Sequence, residues 1–333
     1  MVNGIINVYK EAGFTSFDVV AKLRGIMKQK KIGHTGTLDP DATGVLPVCF
    51  GSATKLVDML TDRSKAYEAE MLLGITTDTQ DISGQILEKK KVDITEEELR
   101  SAILSFIGKQ QQLPPMYSAL KINGQKLCDL ARKGIEVERK PREIEIFNIE
   151  VVDITKEEIL TGENADASDM VDITPNSKNN ETVNITSNAE NNEAVDITYK
   201  ARMIVECSKG TYIRTLCHDI GQALGCGGVM TSLKRIRSGE FTIDRALTLD
   251  EIEKLVRAGD IDKYIIPVDA CFKDYPALKV QGETYKRVLN GNQIKLNPMG
   301  EHIRVYGPEG EFMAVYESLE KDNIYTPEKM FLS

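Results

Sequence analysis

Residues Gly33 to Lys55 read GHTGTLDPDATGVLPVCFGSATK, and this stretch decides how the rest of the chain is interpreted. Four glycines and two prolines interrupt a short apolar run, which indicates a structured loop and not a helix. Asp39 lies between the permissive Gly36 and the rigid Pro40, so the backbone can fix the direction of this one side chain. An Asp in such a turn most often accepts a neighbouring backbone N–H. The turn alone therefore leaves the role of Asp39 open between turn former and reactive carboxylate.

Length and composition bound the class of protein. A chain of 333 residues exceeds one typical domain, and its 41% apolar content is enough for a large core. The six cysteines contain no CxxC pair, so neither a disulfide framework nor a zinc site is expected. The first residues lack a basic region followed by an apolar run, and no stretch has eighteen consecutive apolar residues. We expect a cytoplasmic protein with reduced thiols and no membrane partner.

The formal net charge of −9 conceals a segregation of charge. The segment from Thr155 to Thr198 has ten acidic residues and two lysines, so it accounts for nearly all of the excess. By contrast, residues 22–31 contain five basic residues and no acid, immediately before the Asp39 loop. Such a run is usually a solvated helix face. Because this one lies next to the Asp39 loop, a surface that binds RNA phosphates is an equally good interpretation.

The acidic segment is also unusual in composition. It has no aromatic residue, is rich in Asn, and repeats a Val-Asp/Asn-Ile-Thr phrase at irregular spacing. Irregular spacing argues against a solenoid, and low hydrophobicity favours a disordered or weakly ordered hairpin insertion at about 155–198. A role in binding a partner stays open.

The remaining periodicity predicts an α+β protein. Apolar residues at helical spacing predict helices, and alternating residues predict strands. Helices are predicted for Thr15–Met27, from Thr95, and for Ala246–Leu255; strands are predicted for Gly4–Lys10, from Lys65, for Arg142–Asp153 and for Ala201–Cys207. From about Tyr275 onward, short strands around a Gly-Pro-Glu-Gly turn predict a small β unit.

A second diagnostic segment is Cys207 to Leu216, which reads CSKGTYIRTL. A strand, a glycine turn and a helix start would bring Tyr212 and Arg214 to one side, and Arg is suited to holding a carboxylate or a phosphate. The segment and the Asp39 loop together closely resemble the TruB family of pseudouridine synthases, which modify the T-loop uridine of tRNA. The family's K-x-Y strand also has a match, in Lys65-Ala66-Tyr67. Glu11 departs from the family, whose members usually carry Pro after the Lys.

The resemblance implies roles for individual residues. Asp39 occupies the family's nucleophile position, Arg214 the position that pairs with this Asp, and Tyr212 the position that packs under the target base. The resemblance implies that Tyr67 stacks on the base and takes part in proton transfer, and that Leu233 forms a wall of the uracil pocket.

His34 is the expected filler of the gap that the extruded base leaves, although a His that only orders the glycine loop fits the sequence almost as well. Without the resemblance, Tyr67, Tyr212 and Leu233 would read as core residues and Arg214 as a surface ion pair.

The family resemblance further implies a pseudouridine synthase fold, with a mixed, largely antiparallel sheet and flanking helices, over residues 1–270. The insertion at about 155–198 would interrupt this domain, and residues 271–333 would form a small β-rich, PUA-like RNA-binding domain. The expected activity is isomerisation of a T-loop uridine, of the position 55 type, by a monomer that binds the tRNA T-arm. We expect no metal, no cofactor and no DNA partner.

Two other functions remain open at this point. One is a synthase subunit that depends on a guide RNA and protein partners. The other is a non-catalytic chaperone for tRNA folding.

Overall fold

The computed structural model describes residues 2–122, 124–161, 194–319 and 323–332. They form two compact units, the first made of residues 1–65 and 234–333 and the second of residues 66–233. The helices are α1 Ser16–Met27, α2 Val57–Thr61, α3 Glu96–Ser105, α4 Leu127–Ala131, α5 Ile213–Ala223, α6 Leu249–Ala258 and α7 Gly282–Leu289. Short 3-10 segments occupy Gly51–Leu56, Ile243–Arg245, Ile261–Tyr264 and Val268–Phe272.

The strands confirm the predicted α+β class with its mixed, largely antiparallel sheet. They are β1 Gly4–Lys10, β2 Ile32–His34, β3 Thr43–Phe50, β4 Lys65–Leu73, β5 Ile75–Thr77, β6 Ile86–Lys89, β7 Gly108–Gln112, β8 Lys121–Ile122, β9 Gln125–Lys126, β10 Arg142–Thr161, β11 Ala194–Cys207, β12 Gly228–Ser238, β13 Phe241–Thr242, β14 Ala277–Lys279, β15 Ile294–Lys295, β16 His302–Tyr306, β17 Phe312–Ser318 and β18 Ile324–Met330.

Strand β3 is the centre of the first unit. Strand β1 runs antiparallel along one side of it, from the Gly4 and Phe50 pair to the Lys10 and Gly44 pair. On the other side β2 pairs antiparallel with residues 48–50, while the end of β12 pairs parallel with residues 43–44. The loop of residues 35–42, which carries Asp39, connects β2 to β3, so both of its ends lie in strands of this paired group.

Successive side chains of β1 and β3 point to opposite faces of the sheet. Both of these faces are buried. Ile6 and Val8 pack with Val19 of α1 and Ile252 of α6. On the opposite face, Ile5 packs in a cluster with members from the 3-10 segments and the C-terminal strands. A rigid double-sided core thus supports the loop.

Helix α1 begins where the sequence predicts. The Oγ1 of Thr15 accepts the backbone N–H of Asp18 at 3.1 Å, and the Asp18 carboxylate accepts the N–H of Thr15 at 2.9 Å. This reciprocal pair is a capping box. Helices α3 and α6 begin with equivalent boxes, at Thr95 and Thr248. The predicted start of α6 at Ala246 was wrong by three residues because Thr248 is the capping residue.

In the second unit β4, β11, β10 and β7 lie side by side in that order. Strands β10 and β11 extend beyond the predicted limits, with pairing that continues from Thr155 and Lys200 to Thr161 and Ala194. The first and last residues of the predicted insertion are therefore ordered strand, since antiparallel pairing satisfies their backbone groups even though the sequence is polar. Residues 162–193, where the rest of the insertion was predicted, lie outside the described residues.

The predicted C-terminal β unit is confirmed. Its five-stranded sheet has the order β14-β16-β17-β18-β15. Ile303 and Val305 of β16 are buried in a separate core with Tyr325 and with Met313, Ala314 and Tyr316 of β17. Residues 271–333 belong to the first unit together with residues 1–65. The predicted domain boundary at residue 270 stays a prediction.

Substitution of Gly44 tests how closely β12 packs against β3. Its φ of +106° is unfavourable for a side chain, and a Cβ there would overlap the backbone oxygen and nitrogen of Arg235. We expect Gly44→Ala to lower the free energy of unfolding by about 3 kcal/mol or more, measured by urea denaturation. Gly25→Ala is the control, because Gly25 lies within α1 with open space around it. That change should instead raise stability by up to ~1 kcal/mol.

Candidate active site

The loop that carries Asp39 is held by hydrogen bonds from other segments. The N–H of Leu38 donates to the Oγ of Ser16, the first residue of α1, at 2.9 Å. The N–H of Gly13 donates to the oxygen of Pro40 at 3.0 Å. Leu38 is buried and Asp39 is half-buried. The carboxylate of Asp39 therefore lies on a fixed backbone between two anchored residues.

Lys10, the last residue of β1, is fully buried beside this loop. Its ammonium donates to the backbone oxygens of Glu11, Pro40 and Ala42 at 3.1, 2.8 and 2.6 Å. Three N–H groups thus meet three acceptors, which is the full capacity of a lysine. Burial lowers the pKa of Lys10 to about 8, against the opposing effect of the Asp41 and Asp39 charges. The side chain still carries its charge at neutral pH.

Arg235 of β12 is the second buried cation at the loop, with 1% of its surface exposed. Its Nε donates to the oxygen of Val45 at 2.6 Å, while its Nη2 has no hydrogen-bond partner among the residues that the structure describes. Its charge contributes to lowering the pKa of Lys10 and of His34. Arg235 belongs to a run of basic residues, 234–237, whose composition would suit a surface facing RNA. Its own side chain is instead buried where β12 pairs with β3.

His34 ends β2 and is half-buried, with its Nδ1 3.3 Å from the oxygen of Gly36. Burial lowers the pKa of His34, the bond to Gly36 opposes this, and the charge of Arg235 adds to the lowering. The ring is therefore neutral at pH 7. Because a carbonyl oxygen only accepts, Nδ1 carries the proton and Nε2 is left as an acceptor.

The other predicted site residues lie in the second unit. Tyr67 is the third residue of β4 and is 9% exposed, and Leu233 of β12 is half-buried. Tyr212 is the residue before α5, and its backbone is held by Gln112. The Gln112 amide accepts from the N–H of Tyr212 at 2.8 Å and donates to its oxygen at 3.0 Å. Sequence reasoning missed Gln112, which looks like an ordinary polar residue of an edge strand.

Arg214, in the first turn of α5, is 5% exposed and has a carboxylate partner in its own unit. Its Nη1 lies 3.1 Å from Oδ2 of Asp81 and donates to the oxygen of Thr79 at 3.1 Å. Its Nη2 donates to the oxygen of Tyr117 at 2.7 Å. The guanidinium is thus fixed in plane by three acceptors.

Asp81 is the residue that sequence reasoning missed most clearly, since it lies in a turn-rich, acidic stretch, residues 74–84, that resembles an ordinary loop. Its Oδ1 accepts the hydroxyls of Thr79 and Ser83 at 2.7 and 2.6 Å, which leaves Oδ2 for Arg214. An Asp with hydroxyl residues two positions away on each side is a turn signal. The pairing with an Arg 133 positions away has no local signal.

Comparisons with known proteins bear on the family. The family model "TruB family pseudouridylate synthase (N terminal domain)" matches residues 24–166, and "tRNA pseudouridylate synthase B C-terminal domain" matches residues 214–273. A protein of Lachnoclostridium phytofermentans named tRNA pseudouridine synthase B is 47% identical over 99% of this chain and all of its own length. The chain belongs to the TruB family. A protein of the same name from Limosilactobacillus reuteri is 42% identical over 99% of both chains.

Solved structures support the fold. The structure of an H/ACA RNP bound to a substrate RNA containing 2′-deoxyuridine matches 99% of this chain and 85% of its own, with a TM-score of 0.62 and 23% identity. A Cbf5-Nop10-Gar1 complex gives a TM-score of 0.63 at 25% identity, covering 99% of this chain and 85% of its own. These confirm the pseudouridine synthase fold that the resemblance predicted.

The predicted site residues of this TruB family member therefore fall into two groups. In the first unit, Asp39 lies in the loop of residues 35–42 and His34 directly precedes that loop. In the second unit, Tyr212 and Arg214 flank the start of α5. The roles inferred for them, including the pairing of Arg214 with Asp39, stay predictions.

Within the described ranges, no cluster of three His, Cys, Asp or Glu side chains has the arrangement of metal ligands. Every helix there is too short or too polar to span a bilayer.

Lys10→Met tests how strongly the ammonium holds the loop. The substitution removes the three N–H donors, so we expect a loss of about 2–4 kcal/mol in the free energy of unfolding. The exposed Lys254→Met should change it by less than ~0.5 kcal/mol.

The pH dependence of this difference has a defined sign. The folded pKa of Lys10, about 8, lies below its ordinary 10.5, so the unfolded chain binds more protons between these values. The contribution of Lys10 to stability therefore rises from pH 8 to pH 10.5. Unfolding curves of wild type and Lys10→Met should diverge further over this interval, and a constant difference would contradict the assignment.

Proposed function

We propose that this chain isomerises a uridine in the T-loop of tRNA, of the position 55 type, to pseudouridine. Similarity over nearly the full length to proteins named tRNA pseudouridine synthase B carries the proposal. It is supported by the fixed position of Asp39 in the loop that most resembles the family. We further propose that the enzyme acts as a cytoplasmic monomer on the T-arm.

The chemistry sets what the residues must do. Isomerisation breaks the bond from uracil N1 to ribose C1′ and forms a bond from C5 to C1′, while C5 loses a proton and N1 gains one. There is no net redox change and no external group, so a carboxylate nucleophile and a shaped pocket suffice. Asp39 is the proposed nucleophile, and either the ribose C1′ or the uracil ring is the atom it attacks.

A fixed carboxylate suits this task. The charge of Lys10 sits under the loop and its three hydrogen bonds prevent the backbone from rearranging as the reaction proceeds, so little reorganisation is required. The neutral His34, with its Nε2 as an acceptor, is suited to a polar contact with RNA in place of the extruded base.

The remaining residues have proposed roles in holding the base. A target uridine must first leave its stack, which costs a few kcal/mol that the pocket has to offset. We assign stacking to Tyr67 and Tyr212, and a pocket wall to Leu233. Arg214 is the proposed partner of the reacting carboxylate, held in plane by Asp81.

The first test is release of tritium from an unmodified tRNA transcript labelled at uridine C5, with purified protein and no guide RNA or metal. We expect one equivalent per tRNA. Binding without release would favour the partner-dependent synthase or the chaperone, neither of which is favoured by full-length similarity to the named synthases.

Asp39→Asn tests the nucleophile. The amide keeps the shape of the side chain but cannot attack, so we expect turnover to fall at least ~10³-fold while the Kd for tRNA changes less than about threefold. Asp41→Asn is the matched control, since Asp41 is exposed two residues further along the same loop. It should retain nearly full activity. Equal losses in both variants would mean that loop charge matters and that Asp39 is not the nucleophile.

Asp81→Asn tests whether Arg214 must be held by a charged partner. The substitution keeps an oxygen acceptor but removes the negative charge next to a buried guanidinium. We expect kcat to fall about tenfold or more, with a smaller change in KM. Asp78→Asn is the control, because the Asp78 carboxylate accepts from the Gln85 N–H and the Tyr117 hydroxyl, with no cation among these partners. Similar kcat values for both variants would indicate that only the turn matters.

A further inference from the structure

We propose that the exposed face of α1 is a stacking platform for an unpaired RNA base, adjacent to the loop that carries Asp39. The platform consists of Phe17, Ala21, Arg24 and Lys28. The proposal rests on the proposed function, because the RNA that the platform binds is the substrate tRNA. The platform adds a contact outside the pocket for the target uridine.

The exposure of Phe17 is the first observation. Its side chain is 64% exposed, compared with 47% for Phe147 and 46% for Tyr264. The same helix buries Val19, Val20 and Leu23 in the core, so Phe17 does not contribute to the apolar face of α1. A large aromatic ring left in water next to a candidate active site points to a binding role.

The helix geometry places suitable neighbours beside the ring. At about 100° per residue, positions 17, 21 and 24 lie within an arc of about 60° on one face of α1, and Lys28 is the capping residue directly after the helix. All four residues are exposed, and the small Ala21 leaves the surface between Phe17 and Arg24 flat. A planar base can therefore approach without a steric obstacle from this face.

Arg24 is held in position beside Phe17. Its Nε donates to the oxygen of Lys30 at 3.2 Å, and its guanidinium carbon lies 6.0 Å from the centroid of the Phe17 ring. The guanidinium lies over the ring at the outer limit of a cation–π contact, too far away to pack closely against it. Aromatic rings and Arg planes are both surfaces on which unstacked RNA bases rest.

The charge around the platform identifies the occupant. Lys22, Lys28, Lys30 and Lys31 are exposed, and residues 22–31 contain no acid. Cations supply phosphate contacts while an aromatic ring supplies stacking, and this combination is typical of proteins that bind single-stranded nucleic acid. A second copy of the chain would bring a like-charged face to the same place.

The platform is also placed close to the chemistry. Phe17 follows Ser16, and the Oγ of Ser16 accepts the N–H of Leu38, the residue before Asp39. The start of the platform is thus joined by one hydrogen bond to the loop that presents the nucleophile. A base stacked there would belong to the same RNA loop as the target uridine.

The absence of tryptophan from the chain permits a direct test. Phe17→Trp creates a single tryptophan on the platform, and Tyr264→Trp creates one at another exposed aromatic position of the same unit. We expect an unmodified tRNA transcript to quench the Trp fluorescence at position 17 strongly, because bases quench a stacked indole. The position 264 control corrects for absorption by the RNA and should show little further change.

Heparin, a polyanion without bases, separates charge from stacking. It should bind the basic residues without the quenching that tRNA causes. Equal effects of heparin and tRNA, or no quenching by tRNA, would overturn the proposal. A change with protein concentration in the absence of RNA would also overturn it, because a second copy of the chain would then be the occupant.

Phe17→Ala should raise the Kd for tRNA roughly 5- to 100-fold, with kcat at saturating tRNA within about twofold of wild type. Phe17→Trp should bind about as well as wild type, which excludes misfolding as the cause. Tritium release by the wild-type protein is measured in parallel. Tritium release without fluorescence quenching would contradict the platform alone. Quenching without tritium release would contradict the proposed reaction and support the binding site.

Discussion

The ammonium of Lys10 bonded to three backbone oxygens is the interaction on which the candidate active site depends. Residues 35–42 belong to no helix or strand, so this loop has no regular backbone hydrogen bonds of its own. Lys10 supplies this loop with partners from the end of β1. The bond from Leu38 to Ser16 adds a second anchor, from α1. The conformation around Asp39 is therefore set by the double-sided core that positions β1 and α1.

Burying charge at this loop has a cost that the arrangement partly offsets. Lys10 and Arg235 are both cations in the interior, and Arg235 retains an N–H group without a hydrogen bond in the described structure. Burial and the charge of Arg235 lower the pKa of Lys10, while the charges of Asp41 and Asp39 favour its protonated state. A core built for stability alone would use apolar residues here. Cations around a carboxylate that must stay ionised are consistent with a nucleophile.

Local signals in the sequence predicted much of the fold and part of the site. Capping boxes at Thr15 and Thr95 placed the starts of two helices, because the box uses residues only three positions apart. The Asp39 loop was predicted since glycine and proline restrict the backbone locally. Asp81 and Arg235 were not predicted as site residues. Their partners lie more than 130 positions away, and only the folded chain brings them together.

The extent of β10 and β11 was missed for a related reason. Residues 155–161 look like part of a polar, acidic insertion, and no periodic apolar pattern marks them as strand. Their pairing continues because each residue from Thr155 to Thr161 has a backbone partner in β11, which depends on register and not on side-chain type.

Net charge is a poor guide to RNA binding in this protein. Charges in water at physiological salt act over about 8 Å, so an average over 333 residues does not describe the field at any one surface. Most of the excess of acidic over basic residues lies in residues 155–198, while residues 22–31 contain no acidic residue. Whether a polyanion can approach Asp39 depends on the charges of the residues that lie close to its loop. The segment that brings basic residues there is α1, which is joined to the loop by the hydrogen bond between Ser16 and Leu38.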